Sequence, residues 1–366
     1  MSRNPTIIVG FNILSSTRSV VCGKNSYSRT TIAERKIPSV VFSPPLSETA
    51  GLSGANTEVP DMPLNIQQEI IEGLSQPAAS ISPKYFYDAR GSTLFEAITR
   101  LPEYYPTRTE RLVMQTHAQA IAQSIGQVTT LIEPGAGSCD KARTLCRLVH
   151  PERFVGIDIS ADYLRGSIES MRAEFADLEL LAVAADMSHA FELPADIPRS
   201  GRLLFYPGSS IGNFDPDQAL ALLRRMRALI DEEGSLLIGF DLPKDVAVLE
   251  AAYDDDAGVT AAFNLNVLGH VNQIIGSDFD LNQWKHHSFF NATESRIEMH
   301  LEASTEALVR WPGGERRFAA GERIHTENSY KYPLQEFVAL LSAAGFARTQ
   351  MWTDDRNWFA VVLARP

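Results

Sequence analysis

The sequence predicts an α/β fold, a doubly wound parallel sheet carrying a smaller α+β cap, on three observations. Between about residues 107 and 245, short apolar runs alternate with segments of helical period, which is the pattern of parallel strands joined by crossover helices. The first of those runs ends in a glycine-containing turn that opens a helix, and acidic residues close the next two. The 366 residues are 44% hydrophobic and 21% charged, a composition that fits a folded globular chain and excludes disordered or fibrous classes.

Residues 1–61 are rich in Ser, Thr, Pro, Asn and Gly without a sustained period, so an irregular extension is expected there. Residues 62–106 read as the first part of the cap: 65–74 place apolar residues at helical spacing, and 80–105 mix aromatics with Gly and Pro. The core is expected over 107–245, with strands at 128–133, 153–158, 178–184, 202–206 and 235–240. Asp215 and Pro216 suit the start of a helix, which Leu220, Leu223, Met226 and Ile230 continue along one face up to Gly234. Residues 246–330 interrupt the regular alternation and are expected to form an inserted substrate-binding subdomain with 62–106. Over 331–366, a helix after Pro333 stops at Gly345, and two strands flanking Asp354-Asp355-Arg356-Asn357 predict an antiparallel hairpin that completes the core sheet.

The net charge of −12 argues against nucleic acid or an anionic membrane as partner, since both demand a basic face. Cys22, Cys139 and Cys146 form no CxxC pair, which points to a reducing compartment and away from a disulfide framework or cysteine-zinc site. No apolar run is long enough to span a bilayer, and no secretory signal opens the chain. A cytoplasmic monomer is expected. His286, His287, His300 and His325 lack the spacing of a metal motif, and no metal is expected.

Glu133-Pro134-Gly135-Ala136-Gly137-Ser138-Cys139-Asp140 follows the first strand, where missing side chains let backbone approach a ligand closely. A dinucleotide fingerprint would have a third glycine where Asp140 stands. Asp158 ends the next strand, positioned to accept from ribose hydroxyls, and Asp186 follows the third, positioned to accept from an adenine amino group. Acids at consecutive strand ends resemble the Rossmann-like class I methyltransferases that use S-adenosylmethionine. A sulfonium cation without phosphate tolerates such acids and needs no phosphate cradle.

Four blocks are more specific. They are Lys84-Tyr85-Phe86-Tyr87-Asp88 with its continuation to Arg108, Pro207-Gly208-Ser209-Ser210-Ile211-Gly212-Asn213-Phe214, the stretch from Tyr253 to Asn266, and His325-Thr326-Glu327-Asn328-Ser329-Tyr330-Lys331. Over about 62–366 the chain resembles the L-histidine Nα-methyltransferases of ergothioneine biosynthesis. The resemblance implies successive transfer of three methyl groups from S-adenosylmethionine to the α-amino nitrogen of free L-histidine, giving hercynine. Such a transfer is an in-line displacement by a neutral amine, so positioning matters more than a strong base.

The same resemblance implies the site. Asn213 would hold the amino-acid backbone, with Gly208 on the same wall. Tyr253 would bind the substrate carboxylate. Tyr87, Phe95 and Tyr104 would surround the amine, and Glu327 and Ser329 would contact the imidazole, with Met299 lining the ring pocket. Gly135, Gly137, Lys141, Asp158 and Asp186 would bind the cofactor, Lys141 as a point charge on its carboxylate. Met187 stands where the family commonly has an aromatic, and Pro134 and Cys139 also depart from its pattern. The competing readings are methylation of another aromatic amino acid such as tryptophan, a silent sensor that binds both ligands, and a Rossmann oxidoreductase.

Overall fold

A seven-stranded sheet carries the molecule's central layer in the computed structural model, which describes residues 65–186 and 193–366. The extension expected over 1–61 and the cofactor position expected at Met187 lie outside the described residues. In chain order the first five strands are β1 (Thr130–Pro134), β2 (Arg153–Asp158), β3 (Glu179–Ala184), β4 (Arg202–Tyr206) and β5 (Ser235–Asp241). They are parallel, in the spatial order β3, β2, β1, β4, β5. Every residue of β1, β4 and β5 is buried, because helices cover both faces of a parallel sheet. Edge strand β3 alternates instead.

The helix Asp140–Val149 follows β1, with Asp140 in its first turn complementing the helix dipole. The helix Pro216–Leu229 starts where Pro216 fixes the first turn and the Gln218 side chain accepts the Asp215 N–H at 3.2 Å. Its Ala219, Leu222, Leu223 and Met226 are buried. Of the predicted face, Leu223, Met226 and Ile230 are buried and Leu220 only partly so.

The remaining strands are β6 (Trp284–Asn291), β7 (Arg296–Ala303), β8 (Ala307–Trp311), β9 (Gly314–Phe318), β10 (Arg323–Tyr330), β11 (Arg348–Thr353) and β12 (Phe359–Arg365). β12 runs antiparallel along β5, and β11 along β12. The mixed sheet with this strand order is the Rossmann-like arrangement of class I methyltransferases. The antiparallel sheet β10-β7-β6 and the helix Val259–Ile275 share one apolar core with the segment from Ile70 to Tyr105. Two stretches far apart in sequence thus build one cap. Among the described residues no helix is long and apolar enough to cross a membrane.

Candidate active site

The strand order reverses between β1 and β4, and the crevice beyond the carboxyl ends of the strands at such a point is where open α/β sheets bind ligands. A cleft of about 1720 Å³ opens there. Of the residues expected in the site, the core brings Gly135, Gly137, Lys141, Asp158 and Asp186 to its wall, and Gly208 and Asn213 from the loop after β4. The cap brings Tyr87, Phe95 and Tyr104. Tyr253, Met299, Glu327 and Ser329 do not line this cleft but are buried behind it.

The cofactor end is organised by backbone. Asp158 accepts the Gly137 N–H at 3.0 Å and the Ser160 N–H at 2.9 Å, so it fixes the loops after β1 and β2 together. Each carboxylate oxygen keeps a second lone pair for a ribose hydroxyl. Gly137 has φ +51°, a left-handed conformation, and a Cβ on it or on Gly135 would meet nothing within 4 Å. The loop therefore borders open space that a ligand's backbone-facing edge can fill. Glu133 Oε2 is buried without a hydrogen-bond partner, and burial pushes that carboxyl well above its ordinary range while Lys141 pulls it down. An unpaired acceptor beside the loop suits a cationic ligand such as the amino-acid end of S-adenosylmethionine.

Two expected cofactor contacts are already engaged with protein. Lys141 pairs with Glu110 at 2.6 Å, and Asp186 pairs with Lys84 of the cap at 2.9 Å. Lys84 also holds Glu69 at 2.7 Å. Gly208 has φ +85°, and a Cβ there would come within 2.8 Å of Lys141 Nζ. Its N–H donates to Glu110 Oε1 at 2.8 Å.

A chain of edge-to-face aromatic contacts runs inward from the cleft wall. Tyr87 meets Phe95 at 5.6 Å between ring centroids, Phe95 meets Tyr104 at 6.3 Å, and Tyr104 meets Tyr253 at 6.2 Å. Phe263 backs both Tyr87 and Phe95 at 5.9 Å. Glu327 lies beside this wall: its charge adds to the burial that pushes the hydroxyls of Tyr87, Tyr104 and Tyr253 well up. Burial raises the Glu327 carboxyl itself to about 7, with the Lys331 ammonium pulling it down. Ser329 Oγ is 2.7 Å from the Tyr253 hydroxyl. Met299 pairs in register with Glu327 and is 2% exposed, packed in the cap core.

Glu110, Lys331, Asp241 and Lys84 were not among the residues anticipated in the site. Glu110 sits in the helix Tyr105–Thr116, where its spacing marks a buried face only once the sheet beneath is known. Lys331 had a legible signal, since Glu327, Ser329 and Lys331 alternate along β10 and its extension and therefore share a face. On the cap sheet, Glu298, His300 and His325 come close enough to offer three ligand atoms. Glu298 is held there by hydrogen bonds from Asn291 and Arg296, and its second oxygen by His300 at 3.0 Å. Burial opposes its ionisation, but these bonds outweigh it and bring the carboxyl down to about 2. The Arg296 guanidinium pairs with Glu298 at 2.8 Å.

Sheet order, glycine loop, strand-end acid and an aromatic-walled cleft together define a class I S-adenosylmethionine-dependent methyltransferase. The chain belongs to the S-adenosylmethionine-dependent histidine-specific methyltransferase family, whose model matches residues 66–366. It is 41% identical over 306 residues to the histidine N-alpha-methyltransferase of Mycolicibacterium smegmatis, covering 82% of this chain and 94% of that protein. To the histidine N-alpha-methyltransferase of Mycobacterium tuberculosis it is 39% identical over 308 residues, covering 82% and 95%. Ergothioneine biosynthesis protein 1 of Neurospora crassa is 29% identical over 300 residues, 76% of this chain and 32% of that longer protein.

Proposed function

We propose that the protein transfers three methyl groups in succession from S-adenosylmethionine to the α-amino nitrogen of free L-histidine, giving hercynine for ergothioneine biosynthesis. The observation that carries this reading is a buried carboxylate, Glu327, beside the Ser329 hydroxyl and directly behind an aromatic wall that borders the cofactor cleft. When bound, S-adenosylmethionine supplies an electrophilic methyl group on a positively charged sulfur.

The residues of the chain supply position and selection. Asp158 and the Gly135–Gly137 turn hold the ribose side, and Lys141 is the cation for a carboxylate once it is shared with Glu110. Asn213, at the end of the short turn Ser210–Asn213, faces the cleft and holds the amino-acid backbone. Tyr87, Phe95 and Tyr104 surround the amine, and each ring face stabilises a growing quaternary ammonium by about 0.5–2 kcal/mol. That contact survives the stepwise loss of N–H donors, so one wall serves all three rounds. Glu327 accepts the imidazole N–H. A side chain without such a donor leaves the buried acceptor unmet, at a cost of about 1–3 kcal/mol. The free thiols Cys139 and Cys146 fit a reducing cytoplasm.

The test is mass spectrometry of the purified protein with S-adenosylmethionine and an equimolar mixture of the twenty amino acids. Histidine carrying three added methyls, with little mono- or dimethyl product, is expected. Methylated tryptophan would overturn the role of Glu327 and Ser329, and cofactor binding without any methylation would favour a sensor.

A further inference from the structure

We propose that Lys331 is a positioning residue: by donating to both hydroxyl oxygens it fixes the Tyr253–Ser329 pair so that the pair's one spare hydrogen is offered to the substrate from Ser329. The inference rests on the proposed histidine site and deepens it. Lys331 is 1% exposed, and its ammonium reaches Ser329 Oγ at 2.8 Å, the Tyr253 hydroxyl at 3.1 Å and Asp241 Oδ2 at 3.0 Å. An ammonium has three hydrogens and no acceptor, so these partners use all of it and both hydroxyl oxygens must accept from it.

The two hydroxyls are 2.7 Å apart, and only one hydrogen fits between them. Two hydroxyls carry two hydrogens, so one remains for a ligand. If Tyr253 donates to Ser329, both lone pairs of Ser329 are filled, by Lys331 and by Tyr253, and its own hydrogen points away from the pair. Ser329 is also the member that alternates with Glu327 on one strand face. One donor beside one acceptor matches neutral imidazole, which has one N–H and one bare nitrogen, whereas indole offers only the N–H. It follows that Tyr253 cannot donate to the substrate carboxylate while Ser329 donates to the ring.

Asp241 anchors the arrangement from the core. Its Oδ2 also accepts from Tyr105 at 2.5 Å, its Oδ1 from Lys244 at 2.6 Å, and its N–H donates to Ser209 Oγ at 2.9 Å. These bonds tie Lys331 to the loop that carries Gly208 and Asn213.

The experiment compares histidine kinetics and calorimetric cofactor affinity in Lys331→Met, Tyr253→Phe, Ser329→Ala and the Tyr253→Phe/Ser329→Ala double variant. Lys331→Met is expected to raise the histidine KM about tenfold, the effect of one misdirected hydrogen bond, with kcat and cofactor affinity changed less than about threefold. The double variant is expected to lose no more kcat/KM than the worse single variant, since both act on one hydrogen. An unchanged KM in Lys331→Met, an equal loss of cofactor affinity, or single losses that multiply in the double variant would overturn the inference. If Lys331→Met does not fold, the double variant still tests the shared hydrogen, and losses that multiply there overturn the inference. A wild-type protein that neither binds nor methylates histidine would overturn the proposed function as well, whereas a Lys331→Met variant indistinguishable from wild type overturns only the role of Lys331.

Discussion

The two sides of the cleft solve recognition differently. On the cofactor side, charges sit on loops and helix starts and are held by partly exposed ion pairs that a ligand can enter: the Lys141 side chain is 37% exposed and that of Asp186 26%. On the substrate side, Glu327, Ser329 and Lys331 stand on or just beyond one strand, each under 9% exposed, and the two polar partners of Lys331 nearest the substrate are already bonded to each other. A common cofactor needs a mouldable, backbone-lined seat. Selection of one amino acid needs buried groups whose loss of a partner is costly.

Substitutions on opposite sides break this comparison in opposite ways. Glu327→Ala has the largest expected effect, a fall of about 100-fold in kcat/KM for histidine with cofactor affinity within about twofold, because a charged acceptor is removed from a buried site. Steady-state kinetics with calorimetry reads both. Asp158→Ala reverses the pattern: it releases Gly137 and Ser160 and should weaken the cofactor about 30-fold while histidine selection among amino acids is kept.

A third test sharpens the burial of Glu327 by pH. Its carboxyl lies at about 7 in the fold against 4.5 for an ordinary Glu, because burial disfavours the anion. The native state therefore holds a proton through that window which the unfolded chain has released, and stability falls as pH rises from 4.5 to 7. Thermal melts of wild type should drop by several degrees across this range relative to Glu327→Gln, in which the titration is absent. Parallel curves would place Glu327 in a solvated setting. Smallest of all is Cys139→Ala, expected to keep activity within about twofold, because methyl transfer is direct and burial pushes this thiol up rather than toward a nucleophilic thiolate. A large loss of turnover would give the thiol a chemical role.

Much of the cofactor side was legible in the sequence. Strands buried on both faces read as apolar runs, and the glycine turn and the strand-end Asp158 follow local rules. The substrate side was legible only through resemblance, since Glu327 and Ser329 look like ordinary strand residues. Pairings across the chain were not legible at all. Lys84 and Asp186 are 102 residues apart and Glu110 and Gly208 are 98 apart, so no periodicity links them. The cap sheet order β10-β7-β6 was hidden too, because the β8–β9 hairpin separates strands that are neighbours in space.

Crossed calorimetry asks whether cofactor and histidine are held by separate sets of residues with opposite design. S-adenosylmethionine is titrated into wild type, Asp158→Ala and Glu327→Ala, and histidine is then titrated into each in the presence of the demethylated cofactor product. Asp158→Ala is expected to lose the cofactor and Glu327→Ala to lose histidine, each leaving the other affinity within about threefold. Equal loss of both ligands in either variant would contradict that separation.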